Sequence, residues 1–269
     1  MRPMQFALAG GAGCPFDTLE DLRRYLGAVA DAGFPCVSLG PEHMRPAGEH
    51  PGAMEKVAAL VRSAGLVCPD VYAMLVGSDD AAALESATRF AGIAGALGAR
   101  HVLTLLRAPV STESFDRLAR CAEVVARAGA SLAIEFAPTR VIDSIPGALA
   151  AVEHIGGDRA GVLIDSWHFF RGPSTWADLE TIALDRIAYV QFADALEDIS
   201  GDFMTETTGR RAWPGEGTLD LTRFVATLTA RSWDGVVSAE VLSDAYRRLD
   251  LAVFTRRAFG TTSRFWDRT

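Results

Sequence analysis

Four oxygen-bearing side chains, each set in or at the end of a short apolar run, are the clearest chemical signal in this sequence. They are Glu135, Asp165, Gln191 and Glu240. Three carboxylates buried together cost many kcal/mol unless a positive charge compensates them. Carboxylate and amide oxygens are the ligands that hard divalent cations prefer. The set therefore predicts one divalent metal ion, Mn²⁺ or Mg²⁺ with Co²⁺ also compatible, bound by these four side chains.

Charged residues close to these four in the sequence are candidates for contact with a substrate. His168 follows Asp165 by three residues, and an imidazole titrates near neutrality, so His168 is the first candidate for proton transfer. It could equally orient a metal ligand. Arg211 carries the planar fork that binds a carboxylate, and its neighbour Arg210 competes for that role.

Three further residues complete the candidate substrate-binding set. Asp194 could hold His168 or an arginine of the following loop, or form a plain salt bridge. Glu42 and His43 follow the second predicted strand and could reach a substrate from the opposite wall, although His43 is also compatible with a structural role. His101 begins a predicted strand, which places it at the end of the sheet that is associated with stability.

Short apolar segments that alternate with amphipathic segments organise the whole chain. Eight of them are predicted strands, at 5–9, 36–39, 71–75, 101–105, 132–136, 162–164, 187–192 and 236–241. The segments between them have helical periodicity, and most of these end at a glycine, as helices do. Alternating strands and helices imply parallel pairing with right-handed crossovers. The predicted fold is therefore α/β, a single (β/α)8 TIM barrel that forms one domain over residues 1–269.

The barrel places the candidate residues at one face. Catalytic side chains of such barrels lie at the C-terminal ends of the strands, and Glu135, Asp165, Gln191 and Glu240 fall there on strands five to eight. The longest stretch predicted to be irregular, 195–218, follows the seventh strand at that same face. Long loops in compact domains are commonly functional.

Composition excludes several classes of function. The formal net charge is -8 and no basic stripe is present, which argues against a nucleic-acid partner. No apolar run is long enough to cross a membrane. The four cysteines are widely spread without a C-x-x-C pair, which is typical of reduced thiols in a cytoplasmic protein. Trp233, Phe254 and Phe265 could form the contact of a homo-oligomer, although core packing is the simpler interpretation.

The motifs around the four oxygen-bearing residues carry a family resemblance. The sequence has an acid on strand five (Glu135), D-x-x-H at 165–168, [HQ]-x-x-D at 191–194, an arginine just before P-G-x-G at 211–217, and Glu240 on strand eight. Together they resemble the xylose-isomerase-like barrels of the sugar phosphate isomerase/epimerase superfamily. The resemblance covers the whole chain in strand order and is densest from 130 to 244.

The resemblance implies a reaction. Ketose epimerases of the superfamily usually have His where Gln191 stands, whereas a Gln there, with R-x-x-P-G-E-G after it, resembles the bacterial 3-dehydroshikimate dehydratases. The expected activity is thus that of a metal-dependent lyase that converts 3-dehydroshikimate, a small polyhydroxy keto acid, to protocatechuate through a metal-stabilised enolate. Glu135 or Glu240 could act as the base in place of His168. The alternative is a ketose or hydroxypyruvate isomerase or epimerase, or an inosose dehydratase, on the same scaffold.

Overall fold

The computed structural model describes residues 5–10, 12–48 and 52–266, and strands and helices alternate along them. The strands are β1 (Gln5–Leu8), β2 (Cys36–Val37), β3 (Asp70–Val76), β4 (His101–Leu106), β5 (Ser131–Glu135), β6 (Ala160–Asp165), β7 (Ile187–Phe192), β8 (Asp194–Ala195), β9 (Arg211–Ala212) and β10 (Val236–Ala239). The α-helices are α1 (Leu19–Asp31), α2 (Pro41–Met44), α3 (Ala53–Ser63), α4 (Asp80–Leu97), α5 (Thr112–Ala126), α6 (Ile145–Ile155), α7 (Ser166–Arg171), α8 (Trp176–Thr181), α9 (Phe203–Gly209), α10 (Leu221–Ala230) and α11 (Leu251–Trp266).

These elements form two compact units. The central unit is Pro69–Val190, and the terminal unit is the described part of Met1–Cys68 and Gln191–Thr269. The prediction of one domain over 1–269 stays a prediction. None of the described helices is both long and apolar enough to cross a membrane.

The central unit is built on parallel strands in the order β6-β5-β4-β3. All six residues of β6 are buried, as expected of a parallel strand covered on both faces. The register pairs Leu132 with Ala160 and Glu135 with Leu163. Glu135 and Asp165, the last residues of β5 and β6, therefore lie at the C-terminal ends of neighbouring strands.

The terminal unit contains the parallel strands β2, β1 and β10, with β1 in the middle. Leu8 pairs with Ala239, so Glu240 directly follows the end of β10. The amide of Glu240 donates a hydrogen bond to the carbonyl of Phe192 at 3.3 Å. Gln191, next to Phe192, and Glu240 are thereby brought to the ends of adjacent strands.

The predicted elements are largely confirmed, and one prediction is corrected. Helix α1 is capped by Thr18, whose hydroxyl accepts from the amide of Asp21 in a capping box. The final helix begins at Leu251, after a 3₁₀ turn at Tyr246–Arg248. The stretch 195–218 was wrongly predicted to be irregular, since it contains α9 and β9 and begins with the second residue of β8.

The aromatic residues proposed for an oligomer contact lie inside the terminal unit. Trp233 and Phe254 are buried within the chain. Phe265 packs edge-on against Phe192, with the ring centroids 5.7 Å apart. These contacts are internal to the chain, and a homo-oligomer stays a prediction.

Candidate functional site

The first group of candidate residues, here called the acidic cluster, consists of Glu135, Asp165 and His168. Each offers one ligand atom, and these atoms lie within 4.8 Å of one another. His168 Nε2 is 3.6 Å from Asp165 Oδ2 and 3.8 Å from Glu135 Oε1. The exposed fractions are 8% for Glu135, 0% for Asp165 and 5% for His168. The central unit therefore brings together two predicted metal ligands and the predicted proton carrier.

Local structure places His168 above Asp165. Asp165 caps the short helix α7, because its Oδ1 accepts from the amides of Trp167 at 2.6 Å and His168 at 3.3 Å. Because His168 follows Asp165 by about one helical turn, the two side chains lie on the same side of α7. In this arrangement Asp165 Oδ2 faces the imidazole, 3.6 Å from His168 Nε2.

The second group, here called the amide–arginine cluster, consists of Gln191, Arg211 and Glu240. Gln191 Nε2 donates to Glu240 Oε1 at 2.8 Å. Arg211 Nη1 contacts Glu240 Oε2 at 3.0 Å and the Glu240 carbonyl at 3.3 Å. Each carboxylate oxygen of Glu240 is thus held by a different donor. The terminal unit therefore brings two further predicted ligands together.

Both clusters fit a divalent cation. Gln191 is 1% exposed, and its Oε1 finds no hydrogen-bond partner among the described residues. A buried acceptor left unpaired costs about 1–3 kcal/mol, which an ion would offset. In the acidic cluster, two buried carboxylates and an imidazole form an oxygen and nitrogen donor set. The imidazole extends the range of suitable metals from Mg²⁺ and Mn²⁺ toward Zn²⁺.

The predicted arginine ligands of the substrate are already engaged by the protein. Arg211 is 2% exposed; its Nε donates to the Thr207 carbonyl at 2.8 Å and its Nη2 to the Thr207 hydroxyl at 3.2 Å. Arg210 pairs with Glu206, Nε to Oε1 at 2.8 Å. The contact of either arginine with a substrate stays a prediction. The sequence did not predict that Thr207 would bind Arg211 or that Glu206 would bind Arg210.

The described contacts of Asp194 are with backbone amides, and substrate binding by Asp194 stays a prediction. Its Oδ1 accepts from the amides of Ala195 at 2.8 Å and Leu219 at 3.0 Å, and its Oδ2 accepts from the amides of Gly215 at 2.9 Å and Gly217 at 3.1 Å. The carboxylate is buried and ties down the P-G-E-G segment.

The side chain of His43 is buried, whereas that of its neighbour Glu42 is exposed. The ring of His43 is buried between Phe16 and Tyr25, with centroids 4.3 and 5.2 Å away. Its Nδ1 accepts from the amide of Gly40 at 3.0 Å, and burial lowers the pKa of His43, with Glu42 opposing that effect. His43 is therefore neutral, with its proton on Nε2. Substrate binding by either residue stays a prediction.

The chain is similar to known proteins in sequence and in structure. The profile of the Xylose isomerase-like TIM barrel family matches residues 26–258. An inosose isomerase of Halalkalibacterium halodurans is 26% identical over 197 residues, which are 68% of this chain and 69% of that protein. A 3-dehydroshikimate dehydratase of Pseudomonas putida is 31% identical over 87 residues, 32% of this chain and 14% of that protein.

A solved structure extends the likeness to the full length. The crystal structure of an IOLI protein with a binding zinc atom superposes with a TM-score of 0.84 at 18% identity, and covers 98% of both chains. This likeness confirms the predicted (β/α)8 barrel. The profile match over residues 26–258 identifies the family, and the chain belongs to the Xylose isomerase-like TIM barrel family.

Proposed function

We propose that this protein is a divalent-metal-dependent isomerase of an inosose-type substrate, a cyclic ketone that bears several hydroxyl groups. The observation that carries the proposal is the acidic cluster, in which the carboxylates of Glu135 and Asp165 would hold the ion and His168, with a ligand-type nitrogen within 4.8 Å of both, would serve as the base. We further propose that Gln191 and Glu240 complete the coordination of the same ion. In a barrel of this family, the C-terminal ends of successive strands meet at one face.

The residues of the chain have distinct parts in this reaction. A divalent cation, when bound, polarises the ketone and makes the neighbouring C–H more acidic. His168 Nε2 removes the proton from that carbon, and the imidazolium, whose proton exchanges with solvent, delivers a proton to the carbon that carried the carbonyl oxygen while another proton passes between the two oxygens. The carbonyl thereby moves to the neighbouring carbon, and no atom is lost. Asp165 Oδ2, 3.6 Å away, stabilises the imidazolium that forms in between.

The character of the substrate follows from Arg211. Each of the three guanidinium nitrogens already contacts an oxygen of Thr207 or Glu240. A buried arginine engaged in this way has little capacity left for a bidentate contact with a substrate carboxylate. An uncharged polyhydroxy ketone therefore suits the amide–arginine cluster better than a keto acid does. The inosose isomerase, whose similarity covers 68% of this chain, supports the same choice.

A second candidate is the dehydration of 3-dehydroshikimate to protocatechuate. It is favoured by Gln191, which resembles the ligand of the bacterial dehydratases, and by the 31% identity over 87 residues with the Pseudomonas putida enzyme. It uses the same C–H acidification, but a hydroxyl then leaves as water instead of the proton returning to carbon. The two reactions therefore share their first step and differ in their product.

One assay separates the two reactions. The purified protein is stripped with a chelator, reloaded with Mn²⁺ and incubated in D₂O with an inosose or with 3-dehydroshikimate. We expect a new inosose isomer that carries carbon-bound deuterium in the NMR spectrum, and no rise of catechol absorbance. His168→Gln should lose this exchange, whereas His154→Gln, which changes a surface histidine paired with Asp116, should keep it. Catechol formation would establish the second candidate, and inactivity on both substrates would contradict the proposal.

A further inference from the structure

The segment 194–219, here called the arm, is a folded structure closed at its base. Asp194 accepts hydrogen bonds from the amides of Gly215, Gly217 and Leu219, at 2.9, 3.1 and 3.0 Å. The amide of Thr218 donates to the carbonyl of Ala195 at 3.0 Å. One buried carboxylate thus fastens the end of the arm to its beginning. Gly217 is required here, because a Cβ at this position would collide with Asp194 and Ala195.

Two short strands and one helix inside the arm fix the position of Arg211. Asp194 pairs with Ala212, and Ala195 pairs with Arg211, in the antiparallel pair of β8 and β9. Helix α9 lies between these two strands in sequence and is capped by Asp202. The amide of Arg211 donates to the carbonyl of Leu242 at 2.9 Å. The backbone of Arg211 is therefore fixed on both sides, by the arm and by the chain that follows Glu240.

Arg211 links the arm to Glu240. Two of its nitrogens hold Thr207 on α9, and Nη1 holds the Glu240 carboxylate and carbonyl. Glu240 directly follows β10 and itself lies outside any helix or strand. Because Arg211 and Gln191 each hold one carboxylate oxygen, the carboxylate is fixed in one orientation.

We propose that the arm is a positioning device for Glu240, in which Asp194 holds the arm closed and Arg211 transmits its position to the carboxylate. The inference rests on the proposed metal site and adds to it two positioning residues, which act on the metal through Glu240. A fixed ligand loses less conformational entropy when it binds a metal. Residues that orient ligands in this way typically contribute about 10- to 100-fold in affinity or activity.

The test measures the dissociation constant of Mn²⁺ by calorimetry on the full-length, metal-stripped protein. Arg211→Gln should raise the constant about tenfold or more, and Arg211→Lys should recover part of the loss. Arg247→Gln is the matched control, because Arg247 donates to the carbonyl of Thr208 on the same helix at 2.7 Å and pairs with Asp244. This control should leave Mn²⁺ binding unchanged. An unchanged or lowered constant in Arg211→Gln would overturn the inference.

A double-mutant cycle tests the connection between the two residues. Asp194→Asn should also weaken Mn²⁺ binding, whereas Asp202→Asn, the same change at the cap of α9, should not. If Asp194 acts through Arg211, the variant with both Asp194→Asn and Arg211→Gln should bind no more weakly than Arg211→Gln alone. Losses that simply add would show independent effects and overturn the proposed connection.

Two further measurements test the positioning role of Arg211 without the Asp194→Asn variant, in case that variant folds poorly. Thr207→Val removes only the hydroxyl that accepts from Arg211 Nη2 and should raise the Mn²⁺ dissociation constant with little change in thermal stability. At saturating Mn²⁺, Arg211→Gln should lower kcat, whereas loss of a direct substrate contact would mainly raise KM. Failure of the wild-type protein to bind Mn²⁺ would instead contradict the proposed function, so the two failures are distinguishable.

Discussion

The acidic cluster and the amide–arginine cluster are assembled in different ways. Glu135 and Asp165 end neighbouring strands, and His168 follows Asp165 within one helical turn. Glu240 depends instead on an arginine 29 residues away in sequence, which arrives on the arm. The first cluster is fixed by the parallel sheet and one helix cap. The second requires a long segment to close correctly, so the two clusters should respond differently to mutation.

The largest effect is expected in the acidic cluster. Asp165→Ala removes a buried carboxylate of the proposed metal site, and we expect turnover to fall about a thousandfold or more, equivalent to about 4 kcal/mol. The lost helix cap should cost only about 1 kcal/mol of stability. Asp178→Ala is the matched control, because Asp178 belongs to the capping box of α8. Loss of activity in Asp178→Ala as well would point to folding instead of metal binding.

Removal of the metal should lower the free energy of unfolding, by fewer kcal/mol than the loss of catalysis expected for Asp165→Ala. An ion present at a hundred times its dissociation constant stabilises the folded state by about 2.7 kcal/mol. For a chain of this size, thermal denaturation followed by circular dichroism should therefore show a Tm lower by about 5 °C after chelation. Added Mn²⁺ should restore the Tm of the wild type but not that of Asp165→Ala. Equal restoration in both proteins would place the stabilising ion elsewhere.

A moderate effect is expected at Gln191. Gln191→Leu removes both the unpaired Oε1 and the donor that holds Glu240. We expect the Mn²⁺ dissociation constant to rise about tenfold. Ser38→Ala, which changes a buried hydroxyl 3.2 Å from the Ser238 hydroxyl in the same unit, serves as the control for the loss of a buried polar group. Equal affinity in Gln191→Leu and the wild type would remove Gln191 from the ligand set.

The smallest effect concerns His101, at the opposite end of the strands. Burial, with a smaller effect of Arg100, lowers the pKa of His101 from 6.5 to about 4. Its Nδ1 is 3.0 Å from the Ser131 hydroxyl. The unfolded chain takes up a proton that the folded protein excludes, so stability is complete above pH 6.5 and is lost as the pH falls toward 4.

Denaturant unfolding at several pH values measures this effect. Because the ring is partly exposed, we expect a loss of about 1 kcal/mol between pH 7 and pH 5. His101→Asn cannot titrate and should flatten this part of the profile without changing Mn²⁺ affinity. An identical pH profile in the two proteins would assign the acid sensitivity to other groups.

The two clusters differ in how much of their geometry could be predicted from the sequence. Apolar strand patterns predicted all eight barrel strands, and the acids at their ends predicted the acidic cluster, because strand periodicity and strand ends are local properties. The engagement of Arg211 with Glu240 and Thr207 was not predictable, since it depends on how the arm folds. The same holds for Asp194, whose four amide donors come from both ends of the arm. His168 was predicted as a proton carrier, but its closeness to both carboxylates required the turn of α7.

The central claim is that one divalent ion binds where Glu135, Asp165, Gln191 and Glu240 were predicted to meet. A crystal grown with Mn²⁺ and measured at a wavelength that gives anomalous scattering from manganese tests it most directly. The account predicts one strong anomalous peak coordinated by oxygen atoms of Glu135, Asp165, Gln191 and Glu240. No peak at these residues, or a peak coordinated by Glu135 and Asp165 without Gln191 and Glu240, would contradict the account.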